Sequence, residues 1–475
     1  MIEHRPPTKA WRIAPAGRAL AFATAIAVAA ASGGPVLEPA HAQERATRGM
    51  PIIRDTEIEQ LLRDYAAPIL RAAGLAKQSV RVVVLNDRAF NAFVMDGRHI
   101  FINTGALFDA RTPNEIIGVF AHETGHLAGG HLQRLREQLA TAQTASVVAL
   151  LAGVGAMVAG ARAGGSSGNV GAAAIMAPQS AIQRSLLAYV RTQEDQADHA
   201  GVKFLAATGQ SAKGMLDLFK RLTDESLFNS RYIDPYLQSH PMPPERVAAL
   251  EGLAKASPYF DRKDPPELQL RHDMMRAKLS GFLDRPDTVF RRYPLGDHSL
   301  PARYARAIAT YRHGGLRDAL PQIDGLIQAE PNNPYFYELK GQALLEGGRP
   351  GDAVAPLRHA VTLAHGAPLI DIMLGQALIA TDNKKNADEA VPLLRNALAR
   401  EPEAPEAYAQ LAMAYGRKGD LAQADLAAAQ AAFNRGDLMT ARQLASRAKT
   451  RLPVGSPAWV QADDIVSVKP SKANK

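Results

Sequence analysis

Apolar residues between 56 and 76 recur at Ile58, Leu61, Leu62, Tyr65, Ile69 and Leu70, the spacing of one helical face, and Gly74 supplies a stop. The period then changes. Val80 to Leu85 is a β-branched apolar run, Asn91-Ala-Phe93 follows, Asp96-Gly97 marks a turn, and His99 to Ile102 reads as another strand. The pattern predicts a hairpin or three-strand meander, with Asn91 to Val94 the nearest candidate for an exposed edge. Thr112-Pro113-Asn114-Glu115 next reads as a capping box, with Thr as N-cap, Pro at the first helical position and Glu at the third. Ile116, Ile117, Val119 and Phe120 make the helix thickly apolar before a polar triplet begins at His122.

Downstream, Ser146 to Gly160 and Gly171 to Met176 are Ala/Gly-rich pieces joined through Gly164-Gly-Ser-Ser-Gly168, each too short to span a bilayer. The segment 145–177 reads as a flap or a piece dipping into a membrane interface, the alternatives being a buried helical hairpin or a membrane-spanning protease. A long helix is expected from near Ser180 to Ala207, closed by Gly209. Prolines at 241, 243 and 244 exclude helix before Glu245 and leave His240 on a stiff loop. A helix from Pro265 to about Leu283 then leads into an irregular Pro-punctuated linker.

Beyond the linker the sequence repeats. Pro301, Pro334 and Pro368 open successive blocks, Gly341 and Gly375 are equivalent, and so are Ala319, Ala353 and, after a three-residue insertion near 383–386, Ala390. This is the period of tetratricopeptide repeats, helix pairs that stack into a solenoid. Asn434-Arg-Gly-Asp437 and Ala441 suggest a further repeat starting irregularly, and Lys469 to Lys475 reads as a disordered end.

Composition adds an address. Arg5, Lys9, Arg12 and Arg18 precede an apolar stretch from Ala19 to Ala31 and an A-x-A site at Ala40-His41-Ala42, the layout of a cleaved secretory signal peptide. The chain of 475 residues contains no cysteine, which excludes disulfides, thiolate metal ligands and a lipid-anchored Cys. Its net charge of +8 falls to +6 without the leader, whose four Lys/Arg stand against Glu3 and Glu38. That excess is spread without a basic cluster, so no nucleic-acid partner is expected, while peripheral membrane contact stays open.

The candidate chemistry lies in His122-Glu123-Thr124-Gly125-His126, an H-E-x-x-H sequence. On a helix it sets two imidazoles on one face and a carboxylate beside them, the arrangement for a catalytic zinc with Glu123 as general base. A third ligand is needed. His131 sits about 180° round from His122 if the helix continues, and the metzincin position is Leu132, so His131 is set aside as a ligand unless Gly129-Gly130 breaks the helix. Glu194, with Asp198 one turn later on the second long helix, completes a His2Glu set, Asp198 taking the free ring N–H of a ligand His.

The order Asn91-Ala-Phe93, His122-Glu-x-x-His126, Glu194-x-x-Ala-Asp198 and Ser239-His240-Pro241 followed by Arg246 resembles the peptidase family that includes the membrane protease HtpX and the CAAX prenyl protease. The resemblance implies one Zn2+ per chain held by His122, His126 and Glu194, Glu123 as base, and Asp198 and Arg246 as support behind them. His240 is implied either as a fourth, inhibitory ligand or as a stabiliser of the oxyanion. Thr124 and Gly125 depart from the bulkier residues often found in that family's motif. With a leader in front and repeats behind, the resemblance further implies a periplasmic endopeptidase. Its substrates and partners would be unfolded or misassembled envelope proteins and the outer-membrane barrel assembly machinery, the alternative being an assembly scaffold whose site is normally shut.

The expected fold is mainly α, a gluzincin-like metalloprotease domain of helices plus a small β-sheet followed by an α-solenoid. Its parts are a signal peptide over 1–42, the protease domain over 43–262, a connecting helix and linker over 263–299, repeats over 300–456 and a tail over 457–475.

Overall fold

The structure, a computed structural model, describes residues 50–144, 168–228 and 235–468, by backbone alone over 168–184 and 226–228. The expected leader at 1–42, the stretch 145–167 and the end of the tail at 469–475 lie outside these residues.

Helix α1 (Thr56–Ala72) starts where the Asp55 side chain accepts a hydrogen bond from the Ile58 N–H, and it buries Ile58, Leu61, Leu62, Tyr65 and Ile69. The sheet it covers has four strands, β1 (Ile52–Ile53), β2 (Arg81–Leu85), β3 (Ala92–Val94) and β4 (His99–Asn103), in the order β1-β2-β4-β3. It is therefore no meander. β4 runs parallel to β2 and antiparallel to β3, because the connection 86–98 crosses over and leaves β3 as its returning arm. Ile100, Phe101 and Ile102 are fully buried, as expected of a central strand covered on both faces. β3 lies at the edge, its Phe93 ring stacked on Phe101. Asp96 holds the turn by accepting from the N–H groups of Arg98 and His99 and pairing with the His99 ring.

Short α2 (Thr104–Asp109) leads to α3 (Pro113–Gly129), the helix of the H-E-x-x-H motif. Thr112 is its N-cap and Pro113 its first residue, but Thr112 makes no side-chain cap bond. Glu115 instead accepts from the Arg111 N–H and pairs with Arg221, so the capping box does not form. Gly130, at φ 61°, ends α3 in the left-handed region and a new helix, α4, begins at 131 and runs through 144.

Helix α5 (Gly168–Ala207) starts upstream of the expected Ser180, within the Ala/Gly-rich segment. Among the described residues no helix is long and apolar enough to cross a membrane. The remaining elements of this half are α6 (Lys213–Phe228), α7 (Pro235–Ser239), α8 (Pro244–Lys255), α9 (Pro266–Leu283) and α10 (Pro286–Arg292), the last a helix in the stretch read as irregular linker. One core unites α1, the sheet, α3, α5, α6, α8 and α9.

Ten helices follow as antiparallel pairs: α11 (Leu300–His313), α12 (Leu316–Ala329), α13 (Pro334–Glu346), α14 (Pro350–Ala364), α15 (Pro368–Ala380), α16 (Lys384–Arg400), α17 (Pro405–Lys418), α18 (Leu421–Arg435), α19 (Leu438–Lys449) and α20 (Pro457–Ser467). Gly341 meets Leu357 and Gly375 meets Leu394, so the equivalent glycines do the same job. Each lets a leucine of the paired helix press against backbone. Ala319, Ala353 and Ala390 are fully buried at the matching crossings. The stretch given to the tail from 457 begins with α20, which buries Ala462 and Ile465 against α18 and α19.

The two halves meet along α1, α9, α11 and α13. Gly281 of α9 lies against Ile308 of α11, and buried Lys278 sits 2.8, 3.2 and 3.7 Å from carboxylate oxygens of Asp55, Glu57 and Glu338. Tyr304 donates to Glu57 and Thr56 to Glu338.

Candidate metal centre

Two small residues let α3 and α5 touch backbone to backbone. A Cβ on Gly125 would lie 2.7 Å from the Ala197 carbonyl oxygen, and one on Gly201 would lie 3.2 Å from the His122 nitrogen. That contact accounts for the small residue inside the motif. It brings the His face of α3 directly against the carboxylate face of α5, a pairing between residues some seventy positions apart.

At the crossing the Nε2 atoms of His122 and His126 converge to 3.0 Å, and Glu194 places Oε2 and Oε1 3.4 Å from them respectively. His240 follows α7 with its N–H bonded to the Tyr236 carbonyl, and its Nδ1 reaches Glu194 at 3.0 Å and His122 Nε2 at 3.3 Å. One ligand atom from each of His122, His126, Glu194 and His240 lies within 4.8 Å of the others, and all four residues are buried.

Behind this cluster Asp198 Oδ1 lies 2.9 Å from His122 Nδ1. Arg246, from the first turn of α8, donates Nε and Nη2 to Asp198, pairs with Glu194 at 2.9 Å, and donates Nη1 to the Pro241 carbonyl of the His240 loop. One guanidinium thus ties both carboxylates to that loop. Phe219 packs edge-on to the His122 ring and Tyr236 lies against His240. The structure therefore brings Glu123, His122, His126, Glu194, Asp198, His240 and Arg246 into one site. The expected edge strand β3 also runs beside α3.

The electrostatics call for a cation. With His122 Nδ1 committed to Asp198, the two Nε2 atoms face each other and at most one proton fits between them. Burial opposes charge on His122, but hydrogen bonds to Asp198 and Glu194 outweigh it and push it up to about 9. Burial drives His126 down to about 3. Glu194, though buried, is held far below the usual carboxylate range by His240, His122 and His126, and Asp198 is lowered by His122 and Arg246 against its own burial. Once His122 gives up that proton, both imidazoles aim Nε2 lone pairs toward Glu194, a donor set that fits a divalent metal ion. Glu123 differs from its neighbours. It is fully buried, neither carboxylate oxygen has a hydrogen-bond partner among the described residues, and burial raises its pKa, which suits a proton acceptor facing a reactant.

The placement of His131 turns on the Gly129-Gly130 break. His131 is not one of the four converging residues, yet its Nδ1 lies 3.0 Å from His126 Nδ1. The 180° offset assumed an unbroken helix, and the left-handed turn at Gly130 removes it. The signal was the Gly129-Gly130 pair.

Residues 53–254 match the family model of peptidase family M48, and residues 304–368 match a tetratricopeptide repeat model. The putative beta-barrel assembly-enhancing protease of Vibrio cholerae serotype O1 (strain ATCC 39315 / El Tor Inaba N16961) is 24% identical over 294 residues, 61% of this chain and 59% of that protein. The beta-barrel assembly-enhancing protease of Escherichia coli (strain K12) is 22% identical over 338 residues, 69% of this chain and 66% of that protein. The chain thus spans 59% and 66% of the length of these curated relatives. Among solved structures, a double mutant of MamA from RS-1 aligns with a TM-score of 0.29 and 19% identity, covering 35% of this chain and 93% of that one. A crystal structure of MamA aligns with a TM-score of 0.28 and 22% identity, covering 34% and 90%.

Proposed function

Taking the chain as a peptidase family M48 domain joined to tetratricopeptide repeats, we propose that it is a zinc endopeptidase in which His122, His126 and Glu194 hold the ion and Glu123 is the general base. The observation that carries this reading is the convergence of four buried ligand atoms beside a carboxylate with no hydrogen-bond partner among the described residues. A bound zinc ion supplies a Lewis acid that polarises a carbonyl and lowers the pKa of water towards 7. Glu123 takes the proton of the water that attacks the scissile carbonyl, and passes it to the amine as the C–N bond breaks. Asp198 fixes the His122 tautomer, and Arg246 neutralises the paired carboxylates. Strand β3 offers its open edge to an extended peptide.

By analogy with the relatives' names, the substrates are misassembled outer-membrane proteins and the repeats recruit them or the barrel assembly machinery. The leader at 1–42 supports a periplasmic site of action. The experiment is cleavage of an unfolded protein by the Glu123→Gln variant. Cleavage should disappear while zinc stays bound; retained cleavage would remove Glu123 from the mechanism.

A second reading, an assembly scaffold with a shut protease site, is favoured by one contact. His240 Nε2 lies 3.5 Å from Glu123 Oε1 while Nδ1 lies 3.0 Å from Glu194, so one side chain bridges the proposed base and the proposed third ligand, as a shut site requires. A Glu123→Gln chain that still supports outer-membrane assembly would favour the scaffold.

A further inference from the structure

We infer that His131 is a positioning residue for His126, a neutral imidazole that fixes the tautomer and ring angle of one ligand as Asp198 does for the other. The inference rests on the reading that His126 binds the ion through Nε2.

His126 turns Nε2 to the ligand cluster, so its Nδ1 faces the opposite way. There it meets His131 Nδ1 at 3.0 Å, with the rings crossed at 84°. For Nε2 to offer a lone pair, the His126 proton must sit on Nδ1. That N–H donates to His131 Nδ1, which must itself be unprotonated, so the His131 proton sits on Nε2. One hydrogen bond therefore sets both tautomers.

The placement is built rather than incidental. His131 is only 3% exposed although it begins a helix. Its ring lies on the bare Cα of Gly129, where any Cβ would overlap it, and Gly130 supplies the left-handed turn that brings it back under α3. From α5, Gln193 donates to the His131 carbonyl at 3.4 Å and Gln196 hydrogen-bonds the ring. Glu194, which completes the ligand cluster, lies between these two glutamines in the sequence.

A neutral acceptor has a reason here. Asp198, Glu194 and Glu123 already crowd the cluster against Arg246, and a carboxylate behind His126 would add another buried anion. An imidazole accepts the same hydrogen bond without that charge.

The test is zinc affinity of the full chain by competition with a chromophoric chelator, alongside melting of the metal-free protein. His131→Leu, which fills the space without an acceptor, should weaken zinc binding by about 10–100-fold. His131→Asn, whose Oδ1 can replace Nδ1 as acceptor, should restore it to within about threefold of the parent. The metal-free forms of the two variants should melt alike, which a packing role would not require. Parental affinity in His131→Leu, or equal weakness in His131→Asn, overturns the role of His131. His122→Ala separates the two ideas: if it too binds zinc with parental affinity, the assignment of the metal centre fails instead.

Discussion

The junction between the N-terminal half and the repeats depends on one buried cation, and the effect of its removal should be strongly pH-dependent. Lys278 is 4% exposed and sits within 3.7 Å of Asp55, Glu57 and Glu338. Replacing it with Met keeps the apolar stem but leaves three carboxylates facing one another, a loss of about 3–5 kcal/mol when they are ionised. Burial already raises Glu57 and lifts Glu338 from 4.5 to about 7, Lys278 being the largest opposing influence on each. A carboxyl raised in the folded state holds its proton when the unfolded chain has lost it. Its stability contribution is thus complete below the unfolded value and lost as pH rises towards about 7, at most about 3 kcal/mol for Glu338 alone. Burial opposes the Lys278 charge, but its carboxylate partners raise its pKa well above 10.5, so Lys278 stays charged throughout this window. Urea unfolding of Lys278→Met should therefore show the full loss at about pH 8 and a smaller one at about pH 5, where Glu338 is protonated. An equal loss at both pH values, or one below about 1 kcal/mol at the higher, would refute this view of the junction.

Other perturbations bear on the site. Gly125→Ala places a Cβ 2.7 Å from the Ala197 carbonyl oxygen, so α3 and α5 must part; stability should fall by about 1–3 kcal/mol and zinc affinity with it, read by melting and chelator competition. Arg246→Met strands Asp198 and Glu194 and should cost about 3–5 kcal/mol in denaturant unfolding. Glu338→Gln should flatten the acid-to-neutral decline in stability, visible as a melting temperature that varies less with pH than that of the parent. His240→Ala should speed cleavage of an unfolded protein by about tenfold if the loop's closure is worth about 1.4 kcal/mol; slower cleavage would make His240 a stabiliser of the oxyanion instead.

What the sequence made legible were features set by local spacing. The H-E-x-x-H helix, the face shared by Glu194 and Asp198, and the glycine and alanine crossings of the repeats all follow from periodicity, and each occupies the expected kind of element. Features decided by distant partners were hidden. The parallel pairing of β2 with β4 depends on a crossover that alternation along the chain does not encode. Glu115 reads as a cap residue until Arg221, 106 positions on, draws it away. Helical counting sets His131 apart from His122 only until the Gly129-Gly130 break, and how close it then comes to His126 is decided by the left-handed turn. Asp55, Glu57, Lys278 and Glu338 each resemble ordinary solvated charges, and only the packing of repeats against α1 and α9 makes them a buried cluster.

The central claim is that His122, His126 and Glu194 hold a single zinc ion that Glu123 serves without binding. Metal analysis of the purified full chain tests it most directly. The account predicts one zinc per chain, unchanged in Glu123→Gln and lost in Glu194→Gln. A parental chain without zinc, or a Glu194→Gln chain that keeps it, would contradict the account.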